Sequence, residues 1–96
     1  MTDPIFEMIK AGAKIVDVRS REEFEDEHYP NAINIPVNEL QKRMAELGDH
    51  TTALVLYCAS GSRSAFAARL LSVAGYKKVV NAGGLHDMPE QIPART

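Results

Sequence analysis

The chain's one cysteine, Cys58, is followed by Ala59, Ser60, Gly61 and Ser62, and then by Arg63 and Ser64. This pattern is the one in the chain best suited to covalent chemistry. Small residues let consecutive backbone N–H groups turn towards one point and form an anion-binding nest. A helix starting near Ser64 adds its unpaired N–H groups and its positive dipole end. Arg63 adds a full charge. All three favour thiolate over thiol, so the Cys58 pKa is expected below the ordinary thiol range. A thiolate is itself nucleophilic, so no histidine base is required. The alternative is a cysteine that serves as a small core hydrophobe. A core cysteine gains nothing from a loop of this composition.

The flanking elements must position this turn. Ala53 to Tyr57 is a continuous apolar run, as in a strand buried on both faces. Cys58 sits at its carboxyl end, where open α/β sheets form their sites. From Ser64 the chain reads as a helix stopped by Gly75, with Phe66, Leu70, Val73 and Ala74 facing inward. Upstream, Asp3 and Pro4 read as N-cap and first residue of a short helix. Ile5, Phe6 and Ile9 form its apolar face and Gly12 its stop. Lys14 to Val18 is a β-branched strand, Arg19 to Glu27 a charged loop with a short helix, and Ala32 to Pro36 a second strand. Asn38 caps a helix to Leu47, with Leu40, Met44 and Leu47 on one face and Gly48 after it. Lys77 to Val80 is a further strand, its two lysines solvated edge charges, and Asn81 to Gly84 a turn. Met88 to Thr96 has no periodicity and is expected to fray. This alternation predicts one α/β domain over residues 1–96: three layers, with a mostly parallel central sheet and helices on both faces.

Composition narrows the function classes. The 96 residues are 45% hydrophobic and 25% charged, which suits a folded domain with a real core. The net charge of -2 gives no electrostatic reason to expect nucleic acid or an anionic membrane as partner. No run of about 18 apolar residues exists to span a bilayer. The N-terminus lacks the basic and apolar regions of a leader peptide, so the cytoplasm is the expected location, or the periplasm if a leader has been removed. A single cysteine excludes an internal disulfide framework and a multi-cysteine metal site. His28, His50 and His86 are scattered without metal-ligand spacing and read as surface or loop residues. No metal is expected.

Cys58-Ala59-Ser60-Gly61-Ser62-Arg63-Ser64 resembles the active-site loop of rhodanese-like sulfurtransferases, often Cys-Arg-Ser-Gly-x-Arg-Ser. Asp17-Val18-Arg19, Glu23-Phe24, His28 and Ala32-Ile33-Asn34-Ile35-Pro36 resemble the family's upstream signature, and Gly83-Gly84-Leu85 its downstream glycine pair. The likeness covers nearly the whole chain. It implies a rhodanese-like fold and a covalent scheme. The Cys58 thiolate takes a sulfane sulfur from a donor such as thiosulfate. It passes that sulfur from a persulfide to cyanide or a thiol, with no cofactor. The backbone from Ala59 to Ser64 would hold substrate and persulfide charge. Arg63 has two readings, contact with the donor or support of the loop through a carboxylate. Asp17 and Arg19, at the end of a core strand, read as an ion-pair network with Glu23 as partner of Arg19. Gly83 and Gly84 read as a turn needing positive φ, and His28 as a loop-packing residue. Three departures stand out. Ala59 replaces a common arginine, Met88 replaces a common tryptophan, and Glu27-His28-Tyr29-Pro30-Asn31 replaces Gly-His-Ile-Pro-Gly.

Two other functions compete. Cysteine-dependent phosphatases and arsenate reductases use a Cys-x5-Arg loop. Here four residues separate Cys58 from Arg63, and the shorter ring suits a single sulfur atom better than phosphate. An interaction module, or a relay that takes sulfur from one protein and hands it to another such as a thioredoxin-like partner, is the second alternative. The alanine at position 59 gives that version its weight.

Overall fold

Strands and short helices alternate along the chain as the sequence predicts. The computed structural model describes residues 3–90. In order they form α1 (Pro4–Lys10), β1 (Lys14–Asp17), α2 (Arg21–Asp26), β2 (Ile33–Asn34), α3 (Leu40–Arg43), β3 (Ala53–Cys58), α4 (Ser62–Val73) and β4 (Lys78–Gly84). The four strands make one parallel sheet in the order β2-β1-β3-β4. Parallel neighbours need crossovers, and α2, α3 and α4 lie in them. The order reverses between β1 and β3, so the carboxyl end of β3 lies at the switch point where such sheets hold their ligands.

β3 is the centre of the core because its two faces are both apolar. Leu54, Leu56 and Cys58 point to one side, Val55 and Tyr57 to the other, and all five are 0% exposed. On the first side Leu40 of α3 and Ala67 and Leu71 of α4 complete the layer. On the second, Ile9 of α1 and Met88 cover Ile15, Val55 and Tyr57. Each such large apolar side chain contributes about 1.5–3 kcal/mol on burial. The N-cap of α1 is as predicted: the Ile5 amide donates to Asp3 Oδ1 at 2.8 Å.

Several boundaries differ from the sequence reading. α4 starts at Ser62 rather than Ser64, and Phe66 and Val73 are 58% and 82% exposed instead of inward. In Ala65–Val73 only Arg69 and Ser72 are polar, so the apolar arc is wide and side-chain size decides which part of it faces the sheet. Ser64, Ala67 and Leu71 face the sheet because the helix start must approach the end of β3 closely. β4 runs to Gly84, so Asn81–Gly84 is strand and not a turn. Cys58 pairs with Gly84 after a register shift that follows Leu56. The second strand is only Ile33–Asn34. The segment after it forms a 3-10 turn at Val37–Glu39, then α3, then a 3-10 turn at Met44–Leu47, and Asn38 caps nothing. Leu40 and Leu47 are buried as read. The tail does not fray at its start: Met88 is buried, and the Tyr29 hydroxyl donates to the Pro89 carbonyl at 2.8 Å. The remainder of that tail, 91–96, lies outside the described residues.

Arg19 pairs with Asp17, not with Glu23. Alternate residues of an extended segment share a face, which puts the two side chains together. Arg19 Nη2 and Nε donate to Asp17 Oδ2 at 2.6 and 3.1 Å, and the Arg19 amide donates to Oδ1 at 2.9 Å. Arg19 Nη2 also donates to the Glu27 carbonyl at 2.6 Å, tying the end of α2 to β1. Asp17 is 0% and Arg19 7% exposed, so the pair is dry. Replacing Asp17 by Ala would leave a buried guanidinium without its carboxylate. The expected loss of stability is about 3–5 kcal/mol in urea unfolding. A loss under about 1 kcal/mol would show that the pair does not anchor this corner.

Candidate functional site

Cys58 ends β3, and the chain turns at once into α4. The turn wraps the sulfur in hydrogen-bond donors. The Gly61 amide donates to Cys58 Sγ at 2.9 Å, and the Ser64 hydroxyl lies 3.4 Å from it. Gly61 is the N-cap residue of α4 and has φ 101, a left-handed conformation that a side chain would strain. Burial pushes the Cys58 thiol pKa up. The Ser64 hydroxyl, followed by the amides of Ser64, Gly61 and Ser60, outweighs it and brings the value down to about 7. The lowered thiol pKa expected from the sequence is therefore supported, and the backbone amides contribute as expected, but the largest lowering cause is the Ser64 hydroxyl and not the Arg63 charge. Of the loop, Ala59, Ser60 and Ser62 are exposed, Gly61 and Arg63 half-buried, and Ser64 buried.

The glycine pair closes the floor of the loop by close approach. A Cβ on Gly84 would lie 2.3 Å from the Ala59 carbonyl oxygen, so no side chain fits there. Only Gly83 has positive φ; Gly84 is extended, contrary to the turn expected for both. Asn81, which the sequence reading assigns only to a turn, is drawn into the site. Its Oδ1 accepts from Ser64 Oγ at 2.6 Å. A polar residue just ahead of a glycine pair at the end of an otherwise apolar strand is the available signal.

Arg63 settles on the carboxylate. Its Nη1 and Nη2 donate to Glu23 Oε1 and Oε2 at 2.8 and 3.1 Å, across 40 residues of sequence. Glu23 closes the capping box of α2 with Ser20 at the same time. Arg63 above all, with smaller help from Ser20 and against desolvation, holds the Glu23 carboxyl down at about 2. Both side chains are more than a third exposed, so the pair itself is worth only about 0.2–1 kcal/mol. Its effect is geometric, fastening the first turn of α4 to α2. Asp17 and Arg19 sit on the other face of the sheet from Cys58, with Arg19 over the Tyr57 ring. They make no hydrogen bond to the loop among the described residues. His28, His50 and His86 are exposed, and His28 stacks on Phe24. Among the described residues no group of three or more His, Cys, Asp or Glu is placed to hold a metal ion.

This arrangement of strand end, donor-lined loop and helix start has known relatives. Residues 5–88 match the rhodanese-like domain. The chain belongs to the rhodanese-like sulfurtransferase family. It is 42% identical over 74 residues to the thiosulfate sulfurtransferase PspE of Escherichia coli K12, covering 76% of this chain and 71% of that protein. A rhodanese from E. coli superposes with a TM-score of 0.76 at 41% identity, covering 81% of this chain and 95% of that one. The human single-domain sulfurtransferase TSTD1 gives 0.75 at 30% identity, covering 84% and 85%. No helix among the described residues is long and apolar enough to cross a membrane.

The donor set around the sulfur predicts its titration. The rate of Cys58 alkylation by iodoacetamide should rise with pH through a midpoint at about 7. Ser64→Ala should move that midpoint about one pH unit higher, the size of one hydrogen bond to a charged group, ~1.5 kcal/mol. A midpoint in the ordinary thiol range for the unmodified protein would refute the cradle.

Proposed function

We propose that the protein is a sulfurtransferase that carries a sulfane sulfur on Cys58 as a persulfide. The observation that carries this reading is the sulfur itself. Cys58 is 0% exposed, yet it faces the Gly61 amide and the Ser64 hydroxyl at 2.9 and 3.4 Å. Donors in these positions stabilise an anionic sulfur where water cannot. A nucleophile so enclosed is best matched by a donor that presents a single terminal atom. The thiolate attacks the sulfane sulfur of a donor such as thiosulfate. The new bond joins Sγ to that sulfur, and the old sulfur–sulfur bond breaks with its electron pair leaving on sulfite. Cyanide or a thiol then takes the outer sulfur and returns Cys58 to the thiolate. The names of the relatives support this chemistry, since PspE is a thiosulfate sulfurtransferase.

The phosphatase and arsenate reductase alternative loses its main support. A guanidinium that must clamp a tetrahedral oxyanion is here forked onto Glu23. The donor class remains wider than thiosulfate. Exposed Ala59, in place of the family's common arginine, leaves the mouth of the loop without one cationic contact for a small anionic donor. That observation favours a protein partner as sulfur donor, in a sulfur relay, alongside small anionic donors such as thiosulfate.

Incubation with thiosulfate should add the mass of one sulfur atom to Cys58, removable by cyanide. Cys58→Ser should abolish both the adduct and turnover, and an aryl phosphate should not be hydrolysed. An unmodified Cys58 after thiosulfate, polysulfide and a desulfurase-generated persulfide have each been offered would overturn the proposal.

A further inference from the structure

Two of the groups that face the Cys58 sulfur, the Ser64 hydroxyl and the Gly61 peptide, are themselves held by one side chain. Asn81 Oδ1 accepts from Ser64 Oγ at 2.6 Å and from the Gly83 amide at 2.9 Å. Asn81 Nδ2 donates to the Gly61 carbonyl at 3.2 Å. The Gly83 amide can only donate and the Gly61 carbonyl can only accept, so the orientation of the Asn81 amide is fixed by its neighbours. Asn81 is exposed on β4 and, among the described residues, makes no hydrogen bond to the sulfur. It sits opposite Leu56, just before the register shift that brings Gly84 beside Cys58.

We propose that Asn81 is a positioning residue for Cys58: it fastens the Ser64 hydroxyl and the Gly61 peptide to β4, so that both stay aimed at the sulfur. This rests on Cys58 acting as a nucleophile. The Ser64 hydroxyl has one proton and four acceptors around it. They are Asn81 Oδ1 at 2.6 Å, the Gly61 and Gly83 carbonyls at 3.2 and 3.3 Å, and Cys58 Sγ at 3.4 Å. Asn81 Oδ1 is the nearest of the four, so it sets where Ser64 Oγ sits, within reach of Sγ. Asn81 Oδ1 is itself held by the Gly83 amide at 2.9 Å. A neutral amide suits this position because it both accepts and donates. A carboxylate could not donate to Gly61 and would place a second negative charge beside the sulfur.

The test is the pH dependence of Cys58 alkylation by iodoacetamide in the unmodified protein, Asn81→Ala and Asn81→Asp, with thermal melting of each. The midpoint should rise in both variants and rise further in Asn81→Asp. At about pH 6, well below the midpoint, the thiolate fraction falls about tenfold for each pH unit by which the midpoint rises. There the alkylation rate should fall about threefold in Asn81→Ala and about tenfold in Asn81→Asp. In a Ser64→Ala background the effect of Asn81→Ala should shrink, because one of the two groups it holds is gone. Asn81→Asp is nearly isosteric and keeps the acceptor, so it carries the test if Asn81→Ala does not fold. An unmoved midpoint in both variants, whatever their melting temperature, would make Asn81 merely structural and overturn the proposal. So would a midpoint that falls in Asn81→Ala, since Asn81 would then be withholding the Ser64 proton from the sulfur. So would an effect undiminished by Ser64→Ala. Alkylation reads the thiolate whether or not sulfur is transferred. A displaced midpoint with no persulfide from any donor would therefore leave this inference standing and sink only the proposed function.

Discussion

A sulfur with no exposed surface can carry negative charge only if the protein replaces the water it has lost. Burial alone drives Cys58 towards the neutral thiol, and the donors of one short loop reverse that to a value of about 7. Most of the surrounding structure follows from this demand. The loop has to be short enough for the first N–H groups of α4 to reach back to the end of β3. It has to contain a residue that tolerates φ 101 at the helix start, which is Gly61. It has to lie flat on β4, where only glycine leaves room under the Ala59 carbonyl. The inward face of α4 is then restricted to Ser64, Ala67 and Leu71, and the bulky Phe66 is turned to solvent.

Two carboxylate–guanidinium pairs tie α2 to the rest of the structure and behave differently because their burial differs. Asp17 and Arg19 are nearly dry, make several hydrogen bonds and tie the end of α2 to the sheet. Neither can be removed without leaving the other uncompensated. Glu23 and Arg63 are partly solvated, so the pair itself adds little stability. It connects the capping box of α2 to the first turn of α4 and so reduces the freedom of the loop between them. The upstream segment therefore acts on the sulfur at second hand, through the position of a helix end.

The parts of this arrangement that depend on local chemistry are legible in the sequence. The unbroken apolar run of β3, the Asp3 cap and the small-residue turn after Cys58 each carry their own reason for existing. The parts that depend on distance in space are not. Arg19 has an acidic residue four places on and another two places back. Only the extended backbone, in which alternate residues share a face, decides for Asp17. α4 has only a weak polar–apolar asymmetry, so periodicity says little about which side faces the sheet; the closeness of its packing decides. Asn81-Ala82-Gly83-Gly84 has the composition of a turn, yet pairing with β3 keeps it extended through the register shift. Composition therefore points Asn81 to a connection, whereas it lies on a strand with its side chain against the loop.

The pairing of Arg63 with Glu23 also bears on what the loop can hold. With that guanidinium neutralised at 2.8 and 3.1 Å, the sulfur is stabilised by the hydroxyl of one residue and the dipoles of a few peptides. Such donors match one negative charge on a small centre. They are poorly matched to the two charges and three oxygens of a phosphoryl group, for which an arginine fork is the natural partner.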